Sequence, residues 1–245
     1  MDFYNAEEYA DPKNYDAEFG GEWEKYEFFL QEAKTYEQVL ELACGTGLTT
    51  LYLAERGVNI DGVDILPHMI QYANYKNRNE NAKFHVGNAL TFTASKAYDF
   101  IYLTGNAFQA FLNDNDQILL LQNVNDLLKV GGKFIFETRN PAGNDLTDCD
   151  YEYWHTFQDY QGNPVEVGGS QIFDSETNIM KWTTLRKFQS HETTSNILCK
   201  FTQPEQIRKL LAKMGFEIQA EYSNWNKSLF TPKDAMIIFV AVRTQ

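Results

Sequence analysis

The feature that most constrains this chain is a short apolar run, Val39-Leu40-Glu41-Leu42-Ala43, which ends in Cys44-Gly45-Thr46-Gly47 and is followed at once by a helix-compatible stretch, residues 48–56. A run too short for a helix and closed by two glycines reads as a buried strand entering a turn where backbone can approach a ligand closely. The helix that follows adds unpaired N–H groups at the same point. The next apolar run, residues 59–65, carries Asp64 near its end, seventeen residues beyond Gly47. A carboxylate there can accept hydrogen bonds from both hydroxyls of an adenosine ribose.

The rest of the chain extends this rhythm. Strand-like runs recur at 83–86, 98–103 and 133–138, separated by a helical stretch that begins at Pro67 and by another marked by Ile118, Leu121, Val124 and Leu128, which ends at Gly131-Gly132. Strands alternating with helices predict crossovers and a mostly parallel sheet. Residues 140–202 break the pattern and are far too long for an ordinary connection. They hold alternating runs at 165–173, 180–188 and 194–201, an inserted antiparallel sheet. A helix over 204–214, closed by Gly215, and strands at 216–222 and 235–243 complete the chain. The expected fold is α/β: a doubly wound, Rossmann-like sheet of seven strands, the last antiparallel, with an antiparallel insertion after the fifth strand. The expected units are an irregular arm and amphipathic helix over 1–35, forming a lid, a sheet domain over 36–140 and 202–245, and an inserted subdomain over 141–201.

Composition narrows the function. Hydrophobic residues are 43% and charged residues 22% of 245, ordinary globular usage. The net charge of −13 argues against a surface built to grip nucleic acid. Three cysteines and four histidines lie without ligand spacing, so no disulfide framework and no metal site is expected. The N-terminus lacks a basic and apolar leader, and no apolar run approaches the ~20 residues of a membrane span. The expectation is a cytoplasmic protein without a membrane partner.

Two cofactor classes use a glycine turn with a distal acid. A dinucleotide site wants a small third residue at position 50, where Thr50 stands, and has no use for Glu41. Glu41-Leu42-Ala43-Cys44-Gly45-Thr46-Gly47 instead resembles the first motif of class I S-adenosylmethionine-dependent methyltransferases, with Ala43 where many members have glycine. Gly62-Val63-Asp64-Ile65 with Met69 resembles the second motif. Val86-Gly87-Asn88-Ala89 resembles the third, Asn88 replacing the commoner Asp. Tyr98-Asp99-Phe100-Ile101 and Leu128-Lys129-Val130-Gly131-Gly132 are similar to the segments around strands 4 and 5, and the arm around Tyr15 looks like that of bacterial small-molecule-type members. The resemblance implies S-adenosyl-L-methionine as cofactor, S-adenosyl-L-homocysteine as product, and in-line methyl transfer to N or O. It implies that Ala43 and Gly45 meet the methionine ammonium, Gly47 its carboxylate, Asp64 the ribose, and Ile65, Met69, Asn88 and Ala89 the adenine. Glu41, Leu103, Thr104 and Trp23 complete the expected cofactor set.

The acceptor side is less defined. Asn106 and Gln109 follow strand 4 and Arg139 follows strand 5, at the sheet edge where ligands bind. His155 and Tyr15 are candidates for proton handling or closure. Each also fits a plain role in capping, packing or surface pairing. The charge, the absence of an Asn/Asp-Pro-Pro motif after strand 4 and the aromatic arm and insertion point to a small-molecule acceptor. The insertion also offers a surface for a homodimer. An NAD-dependent oxidoreductase and a non-catalytic cofactor-binding module are the alternatives.

Overall fold

The computed structural model describes residues 5–245; the irregular arm expected over residues 1–4 lies outside the described residues. In chain order the elements are α1 (Pro12–Phe19), α2 (Trp23–Ala33), β1 (Val39–Leu42), α3 (Leu48–Ala54), β2 (Ile60–Asp64), α4 (Pro67–Lys76), β3 (Ala82–Val86), β4 (Tyr98–Leu103), α5 (Asp114–Leu127) and β5 (Leu128–Arg139). Then come β6 (Cys149–Gln158), β7 (Pro164–Asp174), β8 (Ile179–Lys187), β9 (Glu192–Lys200), α6 (Pro204–Lys213), β10 (Phe216–Tyr222) and β11 (Met236–Arg243).

Seven strands form one sheet in the order β10-β11-β5-β4-β1-β2-β3. The first five run parallel, and β11 is antiparallel to both β5 and β10. β1 lies between β2 and β4 with all four residues buried, which is why it reads as an apolar run interrupted only by Glu41.

Period-two alternation sorts the strand side chains into two cores. Leu40, Leu42, Ile101, Leu103, Phe134 and Phe136 meet α5 and α6 through Leu120, Leu121, Val124, Ile207 and Leu211. Val39, Phe100, Tyr102 and Ile135 meet α2 and α3 through Phe28, Phe29 and Leu53. The Phe29 ring is fully buried and stacks on Tyr102 at 4.3 Å between centroids. Removing such a ring costs about 3–5 kcal/mol.

The insertion is a separate antiparallel sheet, β6-β7-β8-β9. Its first strand was not expected. β6 is exposed along most of its length, so it lacks the apolar alternation that betrays a half-buried strand. The arm also differs from the irregular segment expected. Asp11 caps α1 by accepting from the Lys13 and Asn14 amides, and Pro12 opens the helix. α1 reaches the insertion through Ala17, which packs on Phe157, Val165 and Val167. No helix among the described residues is long and apolar enough to cross a membrane.

Candidate active site

The carboxyl ends of β1, β2 and β4 open into a cavity of about 380 Å³. Its wall contains Ala43 and Gly45 from the turn after β1, Asp64, Ile65 and Met69 from β2 and α4, Asn88 and Ala89 after β3, and Thr104 after β4. Both turn residues at the wall are left-handed, Gly45 at φ +55° and Ala43 at φ 53°. The second is strained, because an L side chain in that region costs about 1–2 kcal/mol. A glycine at this position would avoid the cost. A Cβ on Gly45 would stand 3.5 Å from Met69 Cε and 3.9 Å from Tyr15, so the wall there is bare backbone between an apolar side chain and a ring.

Asp64 is fixed at the turn. Its two carboxylate oxygens accept from the Gly45 amide at 2.8 Å and the Leu66 amide at 2.9 Å. Each oxygen keeps another lone-pair direction for a ligand hydroxyl. Burial pushes its carboxyl above the usual range, against the pull of those two amides.

Four expected cofactor residues stand elsewhere. Glu41 lies behind the turn on the α2–α3 face, 2% exposed, and accepts from the Thr50 hydroxyl and from the Tyr102 hydroxyl at 3.0 Å. Thr50 and Glu41 are thus one hydrogen-bonded unit that ties α3 to β1. Gly47 begins α3, where an added Cβ would meet the Phe84 ring at 2.5 Å, so its smallness serves packing. Leu103 is core. Trp23 opens α2, is 61% exposed, and packs against Tyr26 and Tyr52; it stands in the wall of neither cavity.

A second cavity, about 480 Å³, adjoins the first. The two share Asn5, Tyr9, Tyr15, Gly105, Ala107 and Ala110. The arm forms one wall, the segment after β4 another, and the inner side of the insertion the third, with Trp154, His155, Trp182 and Arg186. Asn106 and Arg139 from the sheet edge also face it.

The arm is fastened from both sides. Asp16 accepts from Thr46 in the glycine turn and pairs with Lys76, and His68 Nε2 lies 2.8 Å from the Tyr9 carbonyl. On the insertion side, Asn5 exchanges two hydrogen bonds with the Leu198 backbone. Arg186 pairs with Glu8 at 2.5 Å and Glu18 at 2.8 Å, which holds its guanidinium well above the usual range. Burial raises the phenols of Tyr9 and Tyr15, so both stay protonated at neutral pH.

The second cavity divides its charges unevenly. Glu8 and Glu18 are taken by Arg186, Glu22 by Lys25, and His155 Nε2 lies 3.2 Å from Glu18. Arg139 has no carboxylate within ion-pair distance among the described residues. It donates to the neutral Gln109 Oε1 at 2.7 Å, and its guanidinium lies 5.1 Å from the centroid of the Trp182 ring. Sequence reading missed Arg186, Glu8, Glu18, Trp182 and Lys25. Arg186 meets Glu8 and Glu18 across 178 and 168 positions, a pairing that no local pattern marks, whereas Lys25 pairs with Glu22 within one helical turn.

The residues of the first cavity suit S-adenosylmethionine. Asp64 offers acceptors to ribose hydroxyls, Ile65 and Met69 give apolar surface for a base, and bare backbone at Ala43 and Gly45 admits the amino-acid end.

Comparison with known proteins agrees with that chemistry. Residues 39–132 match the family model of a methyltransferase domain. Malonyl-[acyl-carrier protein] O-methyltransferase 1 of Ilyobacter polytropus is 33% identical over 118 residues, 47% of this chain and 42% of that protein, so the match spans less than half of that relative. Cypemycin N-terminal methyltransferase of a Streptomyces species is 22% identical over 84% of this chain and 82% of its own. Among solved structures, the CcbJ methyltransferase of Streptomyces caelestis superposes with a TM-score of 0.81 over 96% of this chain and 100% of its own, at 18% identity. The S-adenosylmethionine-bound CalS10, an amino pentose methyltransferase of Micromonospora echinaspora, gives 0.73 over 94% and 96%, at 20% identity. The motifs, the strand order and the matched domain favour one of the two cofactor classes: residues 39–132 carry a methyltransferase domain, the fold is that of S-adenosylmethionine-dependent methyltransferases, and the first cavity suits that cofactor better than a dinucleotide.

Proposed function

We propose that the protein methylates a nitrogen of a small acceptor that also carries an anionic group. The observation that carries this reading is Arg139, a guanidinium facing the second cavity whose hydrogen-bond partner is an amide and whose ring partner is Trp182. Every glutamate that lines that cavity is already paired with another cation. A carboxylate or phosphate on Arg139 would complete the site, because a guanidinium forms two parallel hydrogen bonds with either group. Nitrogen is favoured over oxygen because several relatives and structural neighbours are named N-methyltransferases.

When bound, the cofactor supplies an activated methyl group on a sulfonium. The chain supplies position. Asp64 and the glycine turn hold one partner, Arg139 holds the other, and the shared residues Tyr9, Tyr15 and Gly105 mark where they meet. Holding two reactants at attack distance supplies much of the acceleration. An amine that arrives neutral needs no dedicated base, which fits a cavity whose carboxylates are engaged by cations and whose phenols stay protonated. On this reading residues 1–35 are a lid, 36–140 with 202–245 hold the cofactor, and 141–201 roof the acceptor. Exposed Tyr151, Tyr153 and Ile172 of the insertion provide a face for a second copy. The reduced thiols fit a cytoplasmic location.

Release of S-adenosylhomocysteine from paired acceptors, each amine with and without a neighbouring carboxylate or phosphate, tests the proposal. Turnover confined to the anionic member of a pair, and reduced about 100-fold or more in Arg139→Ala, is expected, as for loss of a charged anchor. Equal turnover of both members, or methylation of hydroxyls in place of amines, overturns it.

A further inference from the structure

We infer that Glu137 is the positioning residue that sets the partition between the two cavities and, through it, the aim of Arg139. The partition is the segment after β4: Thr104 and Gly105 line the first cavity, Gly105 and Asn106 the second. It has two consecutive left-handed residues, Gly105 at φ +73° and Asn106 at φ 55°. Gly and Asn tolerate that conformation, and contacts from outside the turn decide where its amides and carbonyls point.

Glu137 is what holds it. One carboxylate oxygen accepts from the Thr104 hydroxyl at 3.1 Å and from the Asn106 amide at 2.9 Å, one bond to each side of Gly105. The link continues. The Asn106 carbonyl accepts from the Gln109 amide at 2.9 Å, and Gln109 Oε1 accepts from Arg139 at 2.7 Å. Glu137 and Arg139 are two residues apart on β5 and so share a face of the sheet. Gln109 is fully buried; its backbone N–H makes the bond to Asn106, and its side-chain Nε2 donates to the Lys200 carbonyl at 3.3 Å, which fixes the side chain's orientation.

A carboxylate is a costly choice for this task. Glu137 is 2% exposed, its second oxygen has no hydrogen-bond partner, and the Asn106 side-chain oxygen is likewise buried without one. Burial lifts the Glu137 carboxyl above the usual range, only partly offset by the two donors and the field of Lys25. A residue serving stability alone would be better made apolar here. The acid is explained by the two donors it must face at once in a fixed place.

This inference rests on the methyl-transfer reading for its consequence but not for its geometry, and one set of variants tests both. Hydrogen exchange over residues 103–108 and calorimetric titration with S-adenosylhomocysteine are compared in the full chain, in Glu137→Gln and in Glu137→Ala. Glutamine retains the accepting oxygen, so it should stay within about threefold of the parent in both measurements. Alanine should speed exchange at the Asn106 amide about tenfold or more and weaken binding about tenfold. Should the alanine variant fail to fold, Thr104→Val removes one of the two bonds at nearly constant shape and should show a smaller change in the same direction. Unchanged exchange in Glu137→Ala or Thr104→Val, or a glutamine variant no better than alanine, overturns the assignment. A parent protein that does not bind S-adenosylhomocysteine sinks the methyl-transfer reading instead and leaves the exchange comparison intact.

Discussion

The two adjoining cavities are built from different material. The first is made largely of backbone turns at consecutive strand ends, with Asp64 anchored by two main-chain amides. The second is made of side chains contributed by the arm, the sheet edge and the insertion, held together by ion pairs across long sequence separations. Backbone geometry is dictated locally, so the first cavity can be kept while the sequence around it changes. The second depends on which charges meet in space, and few substitutions suffice to change what it accepts.

If that division is right, the largest effect comes from the fastening of the arm to the insertion. Arg186→Ala leaves Glu8 and Glu18 without their cation in a largely buried place, a loss of about 3–5 kcal/mol. Denaturant unfolding should register the loss, and limited proteolysis should cut first within residues 5–20. Uniform resistance of the arm in the variant would place the fastening elsewhere.

Glu41 gives the next effect, on the other side of the comparison. Burial raises its carboxyl to about 7, so the folded state holds its proton more tightly than the unfolded chain with an ordinary value of 4.5. Its contribution is therefore fully present below pH 4.5 and is lost as pH rises through about 7, amounting to about 3 kcal/mol. Glu41→Gln removes the titration. The stability of the variant relative to the parent should rise by that order between pH 4.5 and 7.5, measured by urea unfolding at a series of pH values. Parallel curves would show that the carboxyl titrates normally.

Asp64→Ala should weaken S-adenosylmethionine by about 1–3 kcal/mol through the loss of a buried polar partner. Trp23→Ala, a change of an exposed ring outside both cavities, should leave that affinity unaltered. Calorimetry on the pair separates a wall residue from a neighbour in sequence, and equal losses would mean that the arm helix reaches the cofactor.

The same division decides what could be read from the sequence. The strand rhythm, the glycine turn and Asp64 were legible because each is a local pattern with a local cause. The insertion was legible as a break in rhythm, but β6 was not, since its exposed residues show no alternation. The motif also misled in a specific way. Position in a motif does not say which face a residue takes: Glu41 and Gly47 sit in the turn sequence, yet one supports α3 from behind and the other makes room for Phe84. Arg139 was legible as a candidate from its place at the sheet edge. Its lack of a carboxylate partner, which gives it meaning, depends on Arg186 taking Glu8 and Glu18 from the distant arm, and no single-sequence pattern reports that.

The most direct test is a crystal structure of the protein with S-adenosylhomocysteine. The ribose should lie on Asp64, the base between Ile65 and Met69 near Asn88, and the sulfur should point past Tyr15 and Gly105 toward Arg139 in the second cavity. Ligand bound outside the first cavity, or with its sulfur turned away from the second, would contradict the division of the site into a backbone-built cofactor side and a side-chain-built acceptor side.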